Sequence, residues 1–293
     1  MTVMENEYLR VSVSEHGAEL TSVYDKQRQQ EDIWTADPAY WARHAPVLFP
    51  FVGKVNGGRY RYRGNEYEMG QHGFARDLDF RFVDASEGEV TYELTDTPET
   101  KKNYPFSFRL QIAYYLEWRT LQVLWQVFNP SESEPLYFSI GAHPAFNWPS
   151  AAFPDKSGYT VDFGRDRLEY VLIDPSTASV DWQHSSELVL PGGKLALTPD
   201  LFDRDALIFD GGQISRAVLC YPDGSPYVTM ECAGFPSFGL WSKPRADAPY
   251  VCLEPWIGRC DNMGFQGELP EKFGEQELAP GKTIEASFSL TFS

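Results

Sequence analysis

Alternation of apolar and polar residues between Phe106 and Phe128 restricts this chain to β-structure more firmly than any other feature. Phe106, Phe108, Leu110, Ile112, Tyr114 and Leu116 hold even positions, and Leu121, Val123, Trp125 and Val127 hold odd ones. Side chains alternate faces along a strand, so a turn at Trp118-Arg119-Thr120 joins two long antiparallel strands with one buried and one wet face. The same period returns in Ile284, Ala286, Phe288, Leu290 and Phe292 after Pro280-Gly281, and in Leu9, Val11 and Val13 before a break at Glu15-His16-Gly17. That break is read as the turn of an opening hairpin.

Short strands are expected at Ala206 to Phe209, Ala217 to Tyr221, Tyr227 to Cys232 and Phe238 to Trp241, separated by Gly-Gly, Pro-Asp-Gly and Gly-Phe-Pro turns. A further strand pair is expected between Tyr137 to Ile140 and Tyr159 to Phe163. Tyr60, Tyr62 and Tyr67 mark strand pieces among Gly57, Gly58 and Gly64, while Trp34 to Arg43 forms a short helical turn or loop against the core. No long helical period, internal repeat or Ser/Gly/Pro linker is evident. The expected fold class is all-β, a large antiparallel β-sandwich in one domain spanning residues 1–293.

Forty-two acidic against 25 basic residues give a net charge of -17, which repels phosphate backbones and anionic membrane surfaces. Nucleic acid and membrane are therefore not expected partners. No Gly-rich phosphate loop is present, and Cys220, Cys232, Cys252 and Cys260 lack the spacing of a structural zinc site. With no basic-then-apolar leader and no apolar run of membrane-spanning length, the expectation is a reduced, cytoplasmic protein, monomer or homodimer.

Chemistry concentrates in three stretches. His44 to Arg76 is rich in Pro, Gly and aromatics and ends in Gln71-His-Gly-Phe-Ala-Arg76. The others are Gly141-Ala-His-Pro-Ala-Phe146 and Cys252-Leu-Glu-Pro-Trp-Ile-Gly258. His72 and His143 each sit beside Gly or Pro and an aromatic, a context that positions an imidazole; the alternative is a core histidine bonded to a carbonyl. His16 and His184 read as surface residues and His44 as a turn residue. Tyr250 to Leu253 reads as a buried strand that Pro255-Trp256 ends, leaving Glu254 at an apolar strand terminus, where a carboxylate is either paired, with Arg259 for example, or used as a base.

Together and in this order, FPFVGKVNGG, QHGFAR, GAHPAF, Trp241-Ser-Lys-Pro244 and CLEPWIG resemble the aldose 1-epimerase (galactose mutarotase) family, most closely its LacX-like branch, over essentially the whole chain. The resemblance implies a β-supersandwich and cofactor-free, metal-free interconversion of the α and β anomers of a hexose or hexose 6-phosphate. It implies Glu254 as base, His143 as acid and His72 as a hydrogen-bonding partner near C1 and the ring oxygen. General acid/base ring opening needs those residue types. The Asn-Arg pair with which galactose mutarotases grip sugar hydroxyls is missing after Gly53, and Lys54 stands where related chains carry Arg. Arg76, with Arg43 or Lys54, is the expected holder of a phosphate; the alternative for Arg76 is an ion pair with Asp77 or Asp79. Three other readings remain: a non-catalytic sugar-binding or sensing protein, a metal site on His72, His143 and Glu254, and a glycosidase with Asp261 as second carboxylate.

Overall fold

The long hairpin forms as its alternation requires. In the computed structural model, which describes Met1–Ser293, Arg109–Glu117 and Thr120–Phe128 pair antiparallel from Arg109↔Phe128 to Glu117↔Thr120. Trp118 takes a left-handed φ of 52° in the turn, as a tight hairpin between right-twisted strands demands. The C-terminal strand Thr283–Phe292 runs along the other side of Thr120–Phe128 for its full length.

These strands lie within a nine-stranded sheet. Its order is Lys194–Ala196, Thr160–Asp162, Arg216–Cys220, Pro226–Glu231, Thr283–Phe292, Thr120–Phe128, Arg109–Glu117, Glu89–Thr95 and Arg81–Ser86. A six-stranded sheet faces it, built on Leu207–Asp210, Ser237–Trp241, Tyr250–Ile257, Ile140–Ala142 and Val47–Leu48, with Ala145–Asn147 also paired to Tyr250–Ile257. A four-stranded sheet of Thr2–Glu5, Leu9–Val13, Leu20–Asp25 and Gln30–Glu31 carries the N-terminus. Every strand pair is antiparallel, and the one α-helix, Thr100–Asn103, has four residues. The chain is thus the all-β antiparallel sandwich that its sequence predicts. No helix is long and apolar enough to cross a membrane.

Between the sheets lies one continuous hydrophobic cluster in which Trp125, Phe146, Phe238, Leu253 and Phe292 are almost fully buried. Aromatic rings mesh there: Trp125 meets Phe288 edge-on at 5.5 Å, and Phe163 tilts against Phe209 at 5.6 Å. Burying one such ring removes about 150–250 Å² from water, worth roughly 4–6 kcal/mol at 25 cal/mol per Å². The inner face of the six-stranded sheet is thereby committed to the core, and its outer face is left to carry the site.

Two expectations need correction. Tyr137 to Ile140 and Tyr159 to Phe163 do not pair with each other. Leu136–Phe138 pairs with Gln276–Leu278, Ile140–Ala142 lies between Val47–Leu48 and Tyr250–Ile257, and Thr160–Asp162 joins the nine-stranded sheet. Alternation specifies which face a residue takes but not which strand lies alongside. The strand at Tyr250 does not end at Pro255 either; it runs through to Ile257, for a reason that bears on the site.

Candidate active site

Glu254 lies in the middle of Tyr250–Ile257, and the strand beside it is interrupted. Ile140 faces Ile257 and Gly141 faces Trp256; after a gap, Ala145 faces Cys252 and Phe146 faces Val251. Counting inward from either side sets His143 directly opposite Glu254 with the register unbroken. The gap exists because Pro144 and Pro255 lie within it, one on each strand, and neither has an N–H to give a ladder. Leu253 N–H still reaches Pro144 O at 3.3 Å. Residues two apart along a strand direct their N–H groups the same way, so the missing donor of Pro255 faces this gap and the other edge of its strand stays paired with Ser237–Trp241.

Facing positions on neighbouring strands bring side chains together, and His143 Nε2 stands 3.3 Å from Glu254 Oε2. Both residues are buried. Burial pushes the Glu254 carboxyl well above the usual carboxylate range, helped by the Asp205 charge. Burial, with Arg76 nearby, lowers His143 to about 3. The expected alternative for Glu254 does not occur, because Arg259 binds Asp210 at 2.8 Å and Asn262 Oδ1 at 2.9 Å instead.

His72 arrives from a different part of the chain through a strained turn. His72 and Gly73 have φ of 66° and 68°; the conformation costs a non-glycine residue about 1–3 kcal/mol and is held by the segment beneath it. His72 N–H donates to Gly53 O at 2.8 Å, while Phe74 and Ala75 N–H both donate to Phe49 O at 3.0 Å. Gly73 is obligatory for that docking, since a Cβ there would lie 2.3 Å from Phe49 O. Gly53 N–H donates back to His72 Nδ1 at 3.1 Å. A nitrogen that accepts a hydrogen bond carries no proton, so His72 is neutral with its hydrogen on Nε2, and the Gln71 side-chain amide 3.2 Å from that nitrogen must turn its oxygen toward it to accept. Burial and then the nearby His143 and Arg76 push its pKa well below the ordinary histidine value, in agreement with that geometry.

The imidazoles of His72 and His143 meet edge-on at 5.6 Å, and Trp41 and Trp241 wall His143 in at 4.6 and 5.3 Å. The loop bearing Trp41 packs on the core as expected, tied by the Trp34 indole N–H to Trp41 O at 2.9 Å. Around the trio opens a cleft of about 520 Å³, within the range of small-molecule sites. Arg43, Lys54, Arg76, Lys243 and Asp205 share its walls with Trp256. Arg76 donates to Gln71 O at 2.8 Å and lies 3.7 Å from Asp77, which also pairs with Arg43. Asp79 takes His16 instead. Two guanidiniums thus share one carboxylate, leaving cationic charge on this wall although the whole chain is acidic.

Four buried polar atoms in the cleft walls have no hydrogen-bond partner: Arg76 Nε, His143 Nδ1, Glu254 Oε2 and Trp256 Nε1. Buried polar groups are normally satisfied, and these four are gathered in one cleft. His143, Cys252 and Glu254 could together present donor atoms to a metal, all within 4.8 Å of one another. Burial holds the Cys252 thiol well above its ordinary value, so binding a divalent ion there would have to displace protons from the thiol and the carboxyl. Asp261 does not join the trio; its carboxylate accepts from Asn56 N–H at 2.8 Å on the wall of a neighbouring hollow. His184 is exposed against Asp181, and His44 Nδ1 bonds Trp34 O at 2.7 Å. Asp205, Trp41, Trp241 and Trp256 were not singled out as site residues by the sequence. Two of them carried a signal: Trp241 within the motif Trp241-Ser-Lys-Pro244, and Trp256 two residues beyond Glu254 and therefore on the same face.

A family model described as aldose 1-epimerase matches residues 1–291. Protein LacX of Lactococcus lactis subsp. lactis, in its plasmid form, is 29% identical over 298 residues covering 99% of both chains. Among solved structures, a galactose mutarotase related enzyme from Lactobacillus acidophilus is 35% identical with a TM-score of 0.93, over 100% of this chain and 97% of that one. A galactose mutarotase-like protein from Lactobacillus casei is 31% identical with a TM-score of 0.90, over 100% of both chains. With matching that runs from end to end, this chain belongs to the aldose 1-epimerase family.

Proposed function

We propose that this protein is an aldose 1-epimerase that interconverts the α and β anomers of a hexose or hexose 6-phosphate, with Glu254, His143 and His72 as its catalytic residues. The observation that carries the reading is the buried pair of His143 and Glu254, 3.3 Å apart on a cleft wall and without a neutralising cation. A carboxyl raised by burial and an imidazole lowered by it hold one proton between them near neutral pH. Mutarotation needs just that inventory, because it moves one proton from the C1 hydroxyl to the ring oxygen and consumes none.

In the productive tautomer, Glu254 is the carboxylate and His143 the imidazolium. Glu254 takes the proton of the C1 hydroxyl, the bond from C1 to the ring oxygen breaks, and its electron pair leaves on that oxygen, which takes the proton of His143. The pair still holds one proton, now on Glu254. Rotation about C1–C2 presents the other face of the aldehyde, and reclosure with reversed roles restores the starting state. His72, a neutral donor through Nε2, stabilises charge on oxygen as the ring opens. Asp205 offers an acceptor to sugar hydroxyls, and Arg43, Lys54 and Arg76 suit a phosphate on the substrate.

Polarimetry on freshly dissolved α-D-glucose, α-D-galactose and their 6-phosphates tests the reading. Acceleration of mutarotation above the buffer rate that disappears in Glu254→Gln is the expected result. Calorimetric sugar binding with no acceleration would instead identify a sugar-binding protein.

A further inference from the structure

Trp256 occupies an unusual seat. Its indole lies over both strands that flank its own: a Cβ at Gly141 would come 2.5 Å from Cδ1, and a Cβ at Gly239 would come 2.5 Å from Cζ2 and Cη2. Two interior strand positions thus have to be glycine, at roughly 0.5–1 kcal/mol each in conformational entropy. The same hypothetical Cβ at Gly239 would lie 3.3 Å from Glu254 Cβ, which sets the indole and the Glu254 side chain against one glycine. Residues two apart share a face of a strand, and Glu254 and Trp256 both line the cleft. Trp256 is 5% exposed, its N–H has no partner, and Glu254 Oε2 has none either. A donor with no partner of its own is therefore buried beside the carboxyl that meets His143 Nε2 at 3.3 Å, close enough for the Trp256 side chain to draw the Glu254 pKa downward against burial.

We propose that Trp256 is a positioning residue for Glu254, its indole N–H donating to the carboxylate whenever the proton of the His143–Glu254 pair moves to the imidazole. The role rests on the acid/base reading above. A neutral carboxyl needs no such donor, whereas a buried anion does, so the bond strengthens only in the productive tautomer. The two glycines serve this geometry: a Cβ at either position would force the indole out of its seat.

Trp256→Phe keeps an aromatic floor and deletes the N–H. The expected result is a fall in kcat of roughly 10- to 100-fold, the value of a hydrogen bond to a charged group, with KM little changed. The alkaline limb of the pH–rate profile moves to higher pH, because the unassisted carboxyl keeps its proton longer. An unmoved profile, or a change in KM alone, would overturn the proposal and leave Trp256 as packing. A second measurement needs no substitution at Trp256: among the indole N–H resonances of the intact protein, one titrates with pH and ceases to do so in Glu254→Gln. If no indole resonance depends on Glu254, the proposal fails. This readout survives even if the protein accelerates no mutarotation, so it separates failure here from failure of the proposed function.

Discussion

Glu254→Gln should make the protein more stable while removing its activity. The amide matches the carboxyl in volume and stays neutral, so the comparison isolates the proton. Glu254 is 1% exposed with no cation against it, and burial raises its pKa well above the ordinary 4.5. A folded group that keeps its proton to higher pH than the unfolded one favours the native state fully below that ordinary value, and the contribution is lost as pH rises above it. At 1.36 kcal/mol per pH unit, the loss between pH 4.5 and pH 7 is at most about 3.4 kcal/mol. Gln has no such loss. Unfolding entropy of about 2.1 cal/mol/K per residue over 293 residues is roughly 0.6 kcal/mol/K, so the gain at pH 7 raises Tm by up to about 5–6 °C. The gain should shrink steadily toward pH 4.5 and vanish there. Thermal denaturation of both proteins from pH 4.5 to 7.5 measures it. Were Glu254 instead a carboxylate paired to imidazolium in the empty site, deleting it would break a buried ion pair and cost about 3–5 kcal/mol. A variant less stable than wild type at pH 7 would therefore refute the neutral pair.

Further outcomes follow from the other site residues. With His143 lowered to about 3, the acid limb of the activity profile should lie well below the ordinary histidine range; a limb near pH 6.5 in the free enzyme would contradict this. His72→Ala removes the acceptor of Gly53 N–H and leaves that donor unpaired, so stability should fall by about 1–3 kcal/mol in chemical denaturation and kcat should fall with it. Wild-type stability would show that the contact with Gly53 carries no weight. Arg76→Ala should raise KM for a hexose 6-phosphate at least about 10-fold while leaving that for the neutral hexose nearly unchanged; equal effects on both would assign Arg76 to the turn it braces through Gln71.

Much of the site was legible because its residues sit at places where backbone chemistry shows in the sequence. His-Gly announces a left-handed turn, His-Pro a broken ladder, and Glu-Pro the facing break. What the local sequence does not show is that the last two are one break: Pro144 and Pro255, 111 residues apart (255 − 144), come to lie in one gap only when Ile140–Ala142 and Ala145–Asn147 dock on the same strand. For the same reason Pro255 read as a strand end although one edge of its strand remains fully paired. Asp205 and Trp41 had no local signature, since their importance is where they stand and not what precedes or follows them, and Trp241 showed only as the start of the motif Trp241-Ser-Lys-Pro244.

By itself, the sequence determined that this protein is an all-β sandwich and that His72, His143 and Glu254 stand at special backbone positions, because alternation, glycine and proline act through local sterics and hydrogen-bond supply. Tertiary structure alone decided which of those residues meet. Register set His143 against Glu254, burial left the pair without a cation, and glycines at two distant positions made room for Trp256 beside the carboxyl. Each is a relation between strands remote in sequence, and pairing partners are chosen by the packing of the whole sheet.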